Sequence, residues 1–247
     1  MIATTVLGGE LALLGVLSAT TGLGMAGWVV GIVHAVVLAV LIARGRRADG
    51  PADRVTAVRA VLGGGITALV IDGVAGLPVP VVTLVVLASV ALALDAVDGR
   101  VARRTGTASV FGARFDMETD AWLIAVLSVH VADLLGWWVL AIGAMRYVFV
   151  VVTALVPWMR GTVPPTPGAK IVAVAQGIVL VVASAHLLPA ALSTGLVACA
   201  LVALCWSFGR DVRYLDKARS AAARRRRSGG SRPGASACPD PAENRRR

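Results

Sequence analysis

Four aspartates, Asp95, Asp98, Asp116 and Asp120, stand close together between two long apolar runs. Asp95 and Asp98 are three residues apart and Asp116 and Asp120 four apart, so on helices each pair puts two carboxylates on one face. Between the pairs lie Gly99, Gly106 and Gly112 with Arg100, Arg103, Arg104 and Arg114, a composition suited to a turn at a membrane surface. Carboxylates at the end of an apolar helix are costly to desolvate and mark a functional site. Four converging on one turn do not stay ionised together without cations. Hard divalent ions such as Mg²⁺, held by carboxylates and substrate phosphates, are the natural partners.

The elements that must position these groups are membrane helices. The chain has 247 residues, 57% of them hydrophobic and only 15% charged, with a mean hydropathy of +0.80. Several apolar runs reach the length of a bilayer-spanning helix. In lipid the backbone must satisfy its own hydrogen bonds, which selects helices and excludes an open sheet. The expected helices cover about 3–20, 25–43, 57–76, 80–98, 116–135, 138–158, 170–188 and 190–208. The breaks between them are Thr20–Gly24, the basic loop 44–54, Asp72–Pro80, the Gly/Arg segment 99–115, Gly136-Trp137-Trp138, the Pro-rich loop Arg160–Lys170 and Pro189. The first helix lacks the basic leader of a signal peptide. Its Glu10 reads as a paired or partly exposed carboxylate.

Lys and Arg set the orientation. The segments 44–59, 99–114, 160–170 and the C-terminal tail are basic, whereas the corners near 21–24, 76–80, 136–138 and 187–193 carry neither residue. Complete alternation places the aspartates, the basic loops and both termini on the cytoplasmic side of the cell membrane. Of the net charge of +10, +8 belongs to residues 209–247, which carry 12 Lys/Arg against 4 Asp/Glu. This reads as a cytoplasmic tail touching anionic lipid, not as a nucleic-acid-binding segment. Composition from Ser220 onward reads as disorder. Cys199, Cys205 and Cys238 form no framework, no Cys/His pair has zinc spacing, and His34, His130 and His186 are isolated along the chain.

The aspartate stretch resembles the motif of the CDP-alcohol phosphotransferase family, D-x2-D-G-x2-A-R-x8-G-x3-D-x3-D. Asp95, Asp98, Gly99, Ala102, Arg103, Gly112, Asp116 and Asp120 fill every fixed position. The resemblance implies an all-α polytopic membrane protein with a six-helix catalytic core over 57–209. To this the chain adds an N-terminal hairpin (1–43), a cytoplasmic loop and juxtamembrane segment (44–56) and a basic, largely disordered tail (210–247), about eight spans in all. It further implies transfer of a phosphatidyl group from CDP-diacylglycerol or a similar CDP-linked lipid to an alcohol, with release of CMP, by a homodimer in phospholipid biosynthesis. Two divalent ions, Mg²⁺ or Mn²⁺, would be held by Asp95, Asp98, Asp116 and Asp120, with Asp95 and Asp116 bridging and Asp120 acting as the base. Thr56 and Arg59 match the family's usual Asn-x-x-Thr-x-x-Arg segment, with Asp53 in place of the Asn, and would help hold the nucleotide together with Gly99, Ala102, Arg103, Ser109 and Gly112. Gly99 would admit a phosphate to the backbone, having no Cβ.

Other classes fit less well. An intramembrane prenyltransferase carries a second acidic motif in the other half of the chain, and this chain has none. A transporter places its acidic groups at mid-membrane in repeated halves, and no repeat occurs. The acceptor is less defined. Family members using phosphorylated acceptors often carry Lys after the last aspartate, where this chain has Ala121, and Met117-Glu118-Thr119 departs from their Pro-containing pattern. Arg146, alone in an apolar helix and in need of an anion, and Lys170 are the residues that would meet an acceptor phosphate. The N-terminal hairpin contributes no second charged cluster and is expected to be dispensable for chemistry.

Overall fold

The computed structural model describes residues 2–44, 51–105, 110–160 and 167–229; the side chains of 51–53, 96–105, 110–111, 157, 160, 167 and 221–229 lie outside the described set. Among the described residues the chain is all helical, with no strand. Eight α-helices run α1 Ile2–Thr21, α2 Met25–Arg44, α3 Pro51–Val74, α4 Val81–Thr105, α5 Val110–Leu135, α6 Leu140–Leu155, α7 Pro167–Ser184 and α8 Ala190–Gly229. Five of them, α1, α2, α3, α6 and α8, are long and apolar enough to cross a membrane. In α4 and α7 the apolar stretches Val81–Asp95 and Gly168–Ser184 are shorter, and α5 carries the charged site.

The helices begin and end for local reasons. Gly22, Gly76 and Gly136 take φ of +73°, +90° and +106° at three of the corners without Lys or Arg, a conformation that a Cβ would strain. Val156 is extended before Pro157, because a residue preceding proline avoids the helical region, so α6 ends before the expected Trp158. Further boundaries differ from expectation. Helix α3 starts at Pro51, a residue pre-shaped for the first helical position, which moves Thr56 and Arg59 from a loop edge into the helix body. The Gly/Arg segment is not a long turn, since α4 continues through Thr105 and α5 starts at Val110. One glycine costs a helix only about 1 kcal/mol, so Gly99 does not stop α4. Helix α8 likewise runs past the expected end near 208 to Gly229.

Helix α3 is the hub. In its apolar span 67% of residues are buried, against 17–28% in the other four. It packs against α1, α2, α4 and α5, while α5 also packs on α6 and α7, and α7 on α8. The main core gathers Leu14, Ile66, Leu69, Leu84, Leu127 and Leu180 from five helices.

The N-terminal hairpin is fastened to α3 at two levels. At the corner, the buried Asp72 carboxylate accepts hydrogen bonds from the backbone N–H groups of Gly24 and Gly27, each at 2.6 Å. A carboxylate there satisfies free amides at the start of α2 and complements its dipole. Midway along, Glu10 of α1 is fully buried, with its Oε1 2.7 Å from His34 Nδ1 of α2. Both press on Gly64 of α3, where an added Cβ would lie 1.9 Å from Glu10 Oε1 and 2.6 Å from His34 Nδ1. The expected paired carboxylate is therefore found, but its partner is a histidine that looked isolated in the sequence.

Candidate active site

Three helices bring the site together. Asp95 lies on α4, and Asp116 and Asp120 lie one turn apart on α5. One oxygen from each of the three carboxylates lies within 4.8 Å of the others. All three are partly exposed, at 26%, 38% and 39%, so the cluster is reachable from outside the helix bundle.

The third helix supplies the cation. Arg59 of α3 is 1% exposed, and its guanidinium reaches all three carboxylates: Nη2 lies 3.2 Å from Asp95 Oδ1 and Nη1 2.5 Å from Asp116 Oδ1, with Nη2 also on Asp120 Oδ1. Its Nε donates to the Ala91 carbonyl at 3.2 Å. Such a fork of donors suits a planar guanidinium and no other side chain. From the sequence Arg59 is expected at the nucleotide; the structure joins it to the aspartates. Thr56, one turn earlier on α3, is buried at 4% exposure.

The remaining motif residues divide. Gly112 lies one turn before Asp116 on α5. Asp98, Gly99, Ala102 and Arg103 belong to the backbone of α4, but their side chains lie outside the described residues, and Ser109 lies outside them entirely. Arg146 of α6 donates to Glu118 Oε1 at 2.5 Å. The anion that Arg146 requires is thus supplied by a residue between the motif aspartates that the sequence analysis assigned no role. Lys170 is exposed at the start of α7 and makes no ion pair among the described residues.

The donor set fits a hard divalent cation. Carboxylate oxygens on one Mg²⁺ sit up to about 4.2 Å apart, twice the usual 2.1 Å bond, so oxygens already within 4.8 Å need move little. Three carboxylates against one guanidinium also leave an excess of two negative charges among the described side chains.

Apolar helices of spanning length around a charged carboxylate centre define a polytopic membrane protein with a metal-type site. Residues 51–206, more than half of the chain, match the family model described as CDP-alcohol phosphatidyltransferase. The chain belongs to that family, whose members are divalent-metal-dependent transferases using a CDP-alcohol donor and an alcohol acceptor. The match opens at the first residue of α3, so the α1–α2 hairpin lies outside it. No curated protein and no solved structure matches the chain.

Proposed function

We propose that this protein transfers the phosphatidyl group of CDP-diacylglycerol to an alcohol, releasing CMP, at the cytoplasmic face of the cell membrane. The observation that carries the reading is the convergence of Asp95, Asp116 and Asp120 within 4.8 Å at one end of apolar helices. The alternation of basic and uncharged corners supports the cytoplasmic orientation.

Asp95, Asp98, Asp116 and Asp120 would hold the Mg²⁺ or Mn²⁺ ions, for which two is the natural number at a pyrophosphate. Bound there, the ions neutralise the pyrophosphate and lower the pKa of a hydroxyl. Asp120 takes the proton from the acceptor hydroxyl. The acceptor oxygen then forms the new P–O bond as the bond from phosphorus to the CMP oxygen breaks. Arg59 keeps Asp116 and Asp120 aligned with Asp95, so the acceptor meets a pre-set group of oxygens. Thr56, Gly99, Ala102, Arg103, Ser109 and Gly112 are assigned to the donor. Arg146, by exchanging Glu118 for a substrate anion, and Lys170 are assigned to a phosphorylated acceptor.

Purified protein given CDP-diacylglycerol, Mg²⁺ or Mn²⁺ and a panel of free and phosphorylated alcohols should release CMP with one acceptor class. Activity that survives excess EDTA, or absence of CMP with every acceptor, counts against the reading.

A further inference from the structure

A groove of about 360 Å³ lies between α2, α3 and α5. Its walls are almost wholly apolar. Val33, Val37 and Leu41 of α2 form one side, Phe115, Thr119 and Trp122 of α5 the other, and Ala60 and Gly63 of α3 the floor. Residues next in sequence belong to the cluster: Arg59 beside Ala60, Asp116 beside Phe115, Asp120 beside Thr119. Val33 and Val37 are exposed, so the groove opens sideways into the region that lipid would occupy. One wall comes from the hairpin, which lies outside the family match.

Into this apolar space His34 also faces. Its Nδ1 is held by Glu10, and its other ring nitrogen has no hydrogen-bond partner among the described residues. Glu10 is fully buried, its Oε2 also unpartnered. A pair buried in lipid must be neutral overall. Three neutral arrangements exist: a carboxylate with an imidazolium, a carboxylic acid donating from Oε1 to Nδ1 of a neutral ring, and a neutral ring donating from Nδ1 to the acid's carbonyl oxygen. The third strands the acid's hydroxyl hydrogen on the buried, unpartnered Oε2 and is disfavoured; in the other two, Nε2 carries a hydrogen. His34 thus offers a donor to a mainly apolar groove whose other polar lining residues are Glu118, Thr119 and Tyr147, and it suits an acceptor oxygen attached to an apolar chain.

We infer that this groove binds an acyl chain of the lipid donor, with His34 Nε2–H donating to the ester carbonyl at the head of that chain. The inference rests on the donor proposed above, and depth supports it. His34 lies against Gly64, five residues beyond Arg59 on α3, which is about 7.5 Å along the helix. In a diacylglycerol phosphate an ester carbonyl sits about five bonds from the phosphorus, roughly 5–7 Å at ordinary bond lengths. A phosphate at the aspartates thus puts an ester at the level of His34. The hairpin becomes a specificity element for the lipid.

The test compares two CDP-lipid donors of equal chain length, one diester and one diether, with the full-length protein in Mg²⁺. The parent should favour the diester in kcat/KM by about 5- to 30-fold, the range expected when a buried donor gains or lacks its acceptor. His34→Leu should bring the two within about twofold by lowering the diester value. Val37→Trp, at an exposed position on the groove wall, should raise KM for a long-chain donor more than for a dihexanoyl one. Equal use of both donors by the parent, a preference that persists in His34→Leu, or a Val37→Trp effect blind to chain length each overturns the groove assignment alone. Absence of CMP from either donor overturns the donor reading with it.

Discussion

Arg59 Nη1 of α3 lies 2.5 Å from Asp116 Oδ1 of α5, and the same guanidinium also contacts Asp95 and Asp120. One buried cation therefore ties three helices together at the point where their carboxylates repel one another. Arg59→Ala should cost about 1–3 kcal/mol, less than breaking a fully buried pair because the carboxylates left behind are partly exposed. Much of that loss should return when Mg²⁺ is added. Thermal unfolding in EDTA and in Mg²⁺ checks both statements; a variant whose melting ignores the metal would separate Arg59 from the site's charge balance.

Asp120→Asn should lower turnover by about 10²- to 10⁴-fold, the range of a general-base contribution, with donor binding largely kept. Asp95→Asn should weaken metal and donor binding together. Steady-state kinetics across Mg²⁺ concentrations resolves the two. An Asp120→Asn enzyme within threefold of the parent removes Asp120 from the base role.

Gly64 and Gly63 are neighbours with opposite tolerance. A methyl at Gly64 would meet Glu10 Oε1 at 1.9 Å, whereas at Gly63 the nearest atom is Trp122 Cδ1 at 3.9 Å. Gly64→Ala should destabilise by about 1–3 kcal/mol through overpacking, and Gly63→Ala should leave the melting temperature nearly unchanged. Equal melting temperatures for the two variants would mean that the Glu10–His34 pair moves aside freely.

Arg146→Ala should raise KM for a phosphorylated acceptor several-fold while donor KM stays within twofold. Glu118→Gln, which frees the guanidinium, should lower acceptor KM or leave it unchanged. A rise in donor KM alone would assign Arg146 to the donor or to the α5–α6 contact.

Much of the fold is legible in the sequence because apolar length, corner residues and charge placement are local properties. Asp72–Pro80 and Gly136-Trp137-Trp138 break the helices where expected. The clustering of Asp95, Asp116 and Asp120 is equally legible, since their spacing is fixed by the helices that carry them. What escapes is pairing between helices. Nothing near Arg59 in sequence announces that it meets carboxylates on two other helices, and Glu10 and His34 stand 24 residues apart. Asp72 reads as a turn residue, although its oxygens serve the start of α2. The Gly63-Gly64-Gly65 run marks a close helix approach only once the hairpin is known to lie on it. Gly99 misleads in the other direction, because a single glycine amid good helix formers does not end a helix.

Both members of the Glu10–His34 pair belong to the hairpin, which leaves the ribosome before α3. An acidic side chain alone at mid-helix opposes insertion by about 2.5–3.5 kcal/mol on translocon scales for Asp, and His34 is available to offset this before α3 has been made. The hairpin can thus enter the bilayer as a self-neutralised unit, and glycosylation mapping of a 1–44 fragment should show His34→Leu impairing insertion. Helix α3 then brings Gly64 to the finished pair and Asp72 to the waiting amides of α2. Synthesis order and helix packing so coincide: Asp95, Asp116 and Asp120 are made after Arg59, against a partner already in place.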